Sequence, residues 1–287
     1  MNSTERKAFW DALCSIRDDS PEHIQTILAT IKIPKCLCRY RSVSESSLLQ
    51  LQENKLYFSS AYYYDDPFDT FIHVDLVRIK KYYEYLSALD ESGLVGFLKP
   101  FEIAIGIRAE QFVENLKHDT FELSTFTEDI KQVREIIQKI LFSICFCEDA
   151  LNETLWLKYA NNYRGFALVY NVKDENTFLC GKEEECKKCK SMLKRPYIYP
   201  VYYAEEPYDA SQYALACMLQ GKQVPTQVLG VFRNASMWEA ERISLIKKKC
   251  HEYDKEWRMI RPAMMPERTC IKMKPQKIIL GLRMPAY

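Results

Sequence analysis

The stretch Tyr253-Asp254-Lys255-Glu256-Trp257-Arg258-Met259-Ile260 sets three charged side chains two residues apart inside a run that otherwise reads as a strand. Side chains alternate across a strand, so the spacing predicts Asp254, Glu256 and Arg258 on one face and Trp257 with Met259 on the other. Two carboxylates and a guanidinium backed by Trp and Met make either a structural ion-pair cluster or a site. Just upstream, residues 236–249 read as a helix with three Lys in its last turn, where the helix dipole favours them. Lys277 to Leu280 supplies a further strand.

Working outward, Tyr199 to Tyr203 reads as a strand and Ala210 to Leu219 as a helix. Phe142 to Cys147 is an apolar strand, Asn152 to Ala160 a short helix carrying Trp156 and Tyr159, and Gly165 turns the chain into the strand Phe166 to Tyr170. Near the start, a helical lead-in is broken at Pro21 and closed by Pro34, and Cys36 to Arg41 follows as a strand. Ser42-Val43-Ser44-Glu45 has capping-box spacing ahead of a helix with Leu48, Leu49 and Leu51. Asn54 stops that helix, and Leu56 to Ser60 forms the next strand. Asp65-Asp66-Pro67-Phe68-Asp69 is a turn, because Pro67 pushes Asp66 out of the helical region. Ile72, Leu76, Ile79, Tyr83 and Leu86 step as one amphipathic helix, and Ile130, Val133, Ile136, Ile137 and Ile140 as another.

The strands arrive in clusters rather than in regular βαβ alternation. The expectation is an α+β fold with a central mixed or antiparallel sheet and flanking helices. Residues 1–34 form the lead-in and 35–287 a single domain, with a helical insertion at 71–141 and a Cys-, Lys- and Glu-rich insertion at 172–196.

Lys and Arg number 40 against 39 Asp and Glu, so the net charge of +1 gives no strong attraction to nucleic acid or acidic lipid. Apolar residues make up 47% of the chain, which is enough for a substantial core. No apolar run approaches a membrane span and the N-terminal residues have no apolar signal core, so a cytoplasmic protein is expected. The eleven Cys are odd in number and scattered, unlike a secreted disulfide frame.

Arg39 and Arg41 lie two apart on a predicted strand, a spacing that suits paired donation to phosphate or carboxylate and equally a surface salt bridge. Ser59 and Ser60 end the next strand, where they orient a polar ligand or satisfy a turn. Glu256 is the strongest acid candidate, with Asp254 as a second polar contact. A fixed carboxylate there can hold a ribose hydroxyl and stabilise an oxocarbenium ion; the competing reading is a pair with Arg258. Cys180, Cys186 and Cys189 have part of a zinc spacing, with a fourth ligand to come from Cys36, Cys38 or His251. Incomplete patterns of this kind are usually accidental, so no metal is expected. No Gly-rich phosphate loop, nucleophile elbow or metalloprotease motif is present.

Several blocks recur in a fixed order: Cys38-Arg39-Tyr40-Arg41-Ser42, Asn54 through Ser60, Asp65 through Asp69, Cys145-Phe146-Cys147-Glu148, Trp156 through Ala160, Tyr163 through Phe166, Lys255-Glu256-Trp257-Arg258, and Ile278 through Gly281. Over about residues 36 to 285 this order resembles the mostly prokaryotic family catalogued as domain of unknown function 2971, a name that carries no activity. Asp65 stands where related members often have Asn, and the Cys180 to Cys189 insertion is outside the pattern.

An early strand Arg, a Ser pair and a late Asp-x-Glu are also similar to the layout of ADP-ribosyltransferases of the Arg-Ser-Glu type. That resemblance implies Arg39 or Arg41 on the pyrophosphate of NAD, Ser59 and Ser60 at the nicotinamide ribose, Tyr57 stacked on the nicotinamide, and Glu256 at the oxocarbenium. It implies an NAD-consuming enzyme, a toxin or phage-defence effector, with a small nucleotide or a protein as target. A non-catalytic ligand-binding or sensor module is the alternative. A metal-dependent nuclease built on Asp65, Asp66, Asp69 and Glu256 is a third reading.

Overall fold

The computed structural model describes residues 1–16, 21–79, 81, 90–99, 108–118, 123–173, 179–180, 198–214, 238–262 and 270–285. The helices are α1 (Ser3–Ser15), α2 (Pro21–Thr30), α3 (Glu45–Gln52), α4 (Glu91–Leu98), α5 (Ala109–His118), α6 (Leu123–Ile140), α7 (Glu153–Lys158) and α8 (Trp238–Ser244). The strands are β1 (Cys36–Arg41), β2 (Lys55–Tyr57), β3 (Ser59–Ser60), β4 (Leu141–Cys147), β5 (Phe166–Asn171), β6 (Leu179–Cys180), β7 (Ile198–Pro200), β8 (Tyr202–Ala204), β9 (Ile246–Lys248), β10 (Glu256–Pro262), β11 (Cys270–Lys272) and β12 (Lys277–Leu280). The fold is α+β.

The main sheet runs β12-β5-β1-β4-β10-β7 and is antiparallel, with β3 also on β4. Its centre holds a fork. β10 pairs with β4 along the whole of that strand, from Glu256 opposite Cys147 to Pro262 opposite Leu141. On the other edge of β4, β1 is in register at one pair, Cys38 opposite Cys147. Farther along the same edge β3 takes over, with Ser59 opposite Ser143. Between those two partners β1 and β4 part.

One face of the sheet packs Trp257, Met259, Phe146, Phe166 and Tyr170 into one core cluster. Trp257 and Met259 are both almost fully buried, as the alternation in β10 predicts, and burial of a side chain such as Met259 stabilises by about 1.5–3 kcal/mol. Gly165 opens β5 because its backbone passes the Arg41 carbonyl so closely that a Cβ would lie 2.0 Å from that oxygen. Just before it, Asn161, Asn162 and Tyr163 all have positive φ, which aims α7 back toward β1. Tyr163 stacks on Trp156 there.

The N-terminal lead-in is helical and joins the core. Asn2 caps α1 with Glu5 in a capping box, and Phe9 and Leu13 are buried against Tyr199, Tyr203 and Trp238. Arg6 donates to the carbonyls of Val201 at 2.6 Å and Glu256 at 2.9 Å, so α1 holds the start of β10 in place.

Two local expectations are corrected. The helix expected over residues 236–249 stops at Ser244, and Ile246–Lys248 instead pairs parallel with β8. Ile246 packs against the core while its neighbour Lys247 turns to the opposite side, an alternation that strand pairing imposes over local helix preference. The Tyr199 to Tyr203 strand divides at Val201, whose N–H donates to the Glu256 carbonyl, so its halves belong to different sheets. The helix expected from Ile72 is seen over residues 76–79; Tyr83 and Leu86 lie outside the described residues. Cys180 sits on β6, whereas Cys186 and Cys189 lie outside the described residues, as does most of 172–196.

Candidate functional site

A cavity of about 340 Å³ opens at the fork, walled by β1, β4, β10, the Asp65–Asp69 turn and α7. That volume falls in the range of small-molecule sites. Its two ends differ in how their charges are held.

At the β1 end, Arg39 is 9% exposed and its guanidinium lies over the Phe146 ring at 5.8 Å. Its Nη1 is buried with no hydrogen-bond partner among the described residues. Arg41 donates to Gln50 Oε1 at a long 3.5 Å. Neither guanidinium meets a carboxylate among the described residues. Burial lowers the pKa of Arg39, and the adjacent Arg39 charge, followed by burial, brings Arg41 down to about 9. A buried and a half-buried cation side by side, with no counter-ion among the described residues, are costly, and an arriving anion removes that cost.

At the β10 end every charged side chain has a partner of opposite sign. Arg258 is 1% exposed; it donates through Nε to Glu256 Oε1 at 2.7 Å, and through Nη1 and Nη2 to both oxygens of Asp69 at 2.7 and 2.6 Å. Nη1 also meets the Ser244 carbonyl at 2.7 Å. Lys247 donates to Glu256 Oε2 at 3.0 Å and to Asp254 Oδ2 at 3.2 Å. Burial by itself would raise the pKa of Glu256, but Arg258 and Lys247 outweigh it and hold that carboxyl well below the usual carboxylate range. For Asp254 burial dominates, Lys247 offsets it in part, and the pKa is raised. Lys247 is raised in spite of burial, chiefly by Glu256 and Asp69. Three carboxylates against two cations leave one excess negative charge when all are ionised.

Of the residues singled out from sequence, Arg39, Arg41, Ser59, Asp254 and Glu256 line this one cavity. Asp254 gets there by a route that alternation does not describe. It ends a 3-10 turn, Lys249–Asp254, and Lys255 follows in the left-handed region with φ 44°, so β10 starts only at Glu256. Tyr57 is elsewhere: it sits on β2 opposite Cys270 in the three-stranded sheet, outside the cavity wall. Ser60 has a backbone task, donating to the Gln138 carbonyl at 2.9 Å and accepting from the Tyr62 N–H at 3.2 Å. Asp65, Asp66, Asp69 and Glu256 do meet around the cavity, yet Asp69 and Glu256 are locked on Arg258. No group of three or more His, Cys, Asp or Glu among the described residues is arranged to hold a metal ion.

Sequence reading missed Lys247 and Tyr64, whereas Tyr159, which it offered as a groove-lining aromatic for a binding module, does line the cavity. Tyr64 is hydrogen-bonded to Ser143 and lies beneath the Arg258 guanidinium at 5.4 Å. Burial raises its pKa well above that of a free phenol and raises that of Tyr159 too. The run Leu245-Ile246-Lys247-Lys248-Lys249 carries no alternation, so no local signal marked Lys247. Among the described residues no helix is long and apolar enough to cross a membrane. Comparison with protein-family models, with curated proteins and with solved structures gives no match.

Proposed function

We propose that the cleft binds NAD and cleaves its nicotinamide–ribose bond, an ADP-ribosyltransferase-like activity directed at a small nucleotide or protein target in the cytoplasm. The observation that carries this reading is that Arg39, Arg41, Ser59 and Glu256, drawn from separate parts of the chain, line one cavity. The resemblance to the uncharacterised prokaryotic family is consistent with a toxin or phage-defence setting.

In this reading the two unmatched guanidiniums take the diphosphate by paired N–H donation. The Ser59 hydroxyl and Glu256 face the nicotinamide ribose. As the C–N bond breaks, its electron pair leaves with nicotinamide and positive charge builds on the ribose. The excess negative charge around Glu256 is already in place there and needs no reorganisation. Water or a target side chain then bonds to the anomeric carbon and releases its proton to solvent.

Because both Glu256 oxygens are occupied by Arg258 and Lys247, a second reading has support: a sensor that binds the anion at Arg39 and Arg41 without chemistry. Nicotinamide release from NAD decides between them. The enzyme reading expects release by wild type and a loss of about a hundredfold or more in Glu256→Gln that still melts cooperatively. Binding of NAD with no release by wild type establishes the sensor, and absence of binding removes both.

A further inference from the structure

At the crotch of the fork two buried thiols face each other. Cys38 and Cys147 are the one registered residue pair of β1 and β4, and their sulfurs are 3.1 Å apart. Cys38 Sγ also lies 3.2 Å from the Cys147 carbonyl, and Cys147 Sγ lies 3.5 Å from the Cys38 carbonyl and 3.4 Å from that of Asp149. Both side chains are nearly buried, yet both border the cavity, which gives a small reagent a way in.

We propose that Cys38 and Cys147 are a disulfide-forming pair, which a peroxide converts into a covalent staple across the fork. Directly opposed residues of antiparallel strands have Cα atoms about 4.5–5.5 Å apart, inside the range that a disulfide spans. The sulfurs must close by about 1 Å to reach bonding distance. The chemistry takes two steps. One thiol, as its thiolate, attacks a peroxide oxygen to give a sulfenic acid and water. The second thiol then displaces water from that sulfur, so two thiols are oxidised while one hydrogen peroxide is reduced to two waters.

The staple fixes β1 against β4 at the residue next to Arg39, and so ties the position of the unmatched guanidinium to the redox state of the pair. The hydrogen bond to Cys38, then burial, holds Cys147 protonated far above the ordinary thiol range. Since the thiolate is the reactive form, oxidation should quicken as pH rises. The inference stands whether or not the cleft cleaves NAD.

The test is to treat the full chain with hydrogen peroxide, digest it without reductant and map the peptides by mass. The expected product is the Cys38 and Cys147 peptides joined and two hydrogens lighter than the free pair. It reverts under reductant, and it forms faster at about pH 9 than at about pH 7. Cys38→Ala and Cys147→Ala, each checked by thermal melting, should leave the remaining thiol to pass on to sulfinic acid. Sulfinic acid at either position in wild type would overturn the proposal. So would links to other cysteines, or unchanged thiols at a peroxide excess that oxidises the urea-unfolded chain.

Discussion

At the β10 end of the cleft every nitrogen of Arg258 has an acceptor, whereas at the β1 end Arg39 keeps a buried nitrogen without one among the described residues, although both are buried strand arginines lining the same cavity. Sequence treats the two alike, as Arg beside another charge at i+2 spacing. The physical consequences are opposite. A matched buried charge is part of the fold, and breaking it leaves a bare ion in a poor solvent. An unmatched buried charge lowers the stability of the empty protein and is ready for a ligand. The matched end therefore fixes the geometry, and the unmatched end offers the binding.

Each of the following substitutions or titrations presses on that contrast. The largest effect is expected from Arg258→Met, which leaves Asp69 and Glu256 buried without their guanidinium and should cost about 3–5 kcal/mol in urea denaturation. Glu256→Gln keeps the shape but removes one carboxylate from Arg258 and Lys247, for a loss of about 1–3 kcal/mol. Equal, small losses for both would mean that the network is less tightly matched than its distances imply.

Acid titration gives the next effect. Glu256 has a depressed pKa, so its contribution is present above the ordinary glutamate value of about 4.3 and is lost as pH falls from there. Asp254, raised, has the opposite sign: its contribution is present at low pH and is lost as pH rises through its folded pKa. Lys247, raised, contributes below about pH 10.4 and loses that stability as pH climbs beyond it. Urea midpoints measured against pH should fall on both the acid and alkaline sides, and Glu256→Gln should flatten the acid side. The smallest stability change is expected at the other end, where Arg39→Met should stay within about 1 kcal/mol of wild type or exceed it, since it removes an uncompensated charge.

The contrast also explains what the sequence could reveal. Alternation is a local signal, and it correctly placed Glu256 and Arg258 on one side of β10 with Trp257 and Met259 in the core. It put Arg39 and Arg41 on one face of their strand, and both line the cleft. It failed where distant pairing decided the outcome. Lys247 reads as helical until β8 draws its segment into a strand. Asp254 reaches the cluster through the left-handed turn at Lys255, which no period encodes. Tyr57 and Tyr64 both lie near the Ser pair, yet one sits on the three-stranded sheet and the other under Arg258, a difference set by chain path. Above all, composition gives no hint of whether a buried Arg is matched; only the folded neighbours supply that.

The most direct test of the account is calorimetric titration of NAD into wild type and Arg39→Met, with thermal melts to show that both are folded. The account predicts unchanged or higher stability for Arg39→Met together with at least a tenfold loss of affinity, about 1.4 kcal/mol. NAD binding of equal strength to both proteins would contradict it.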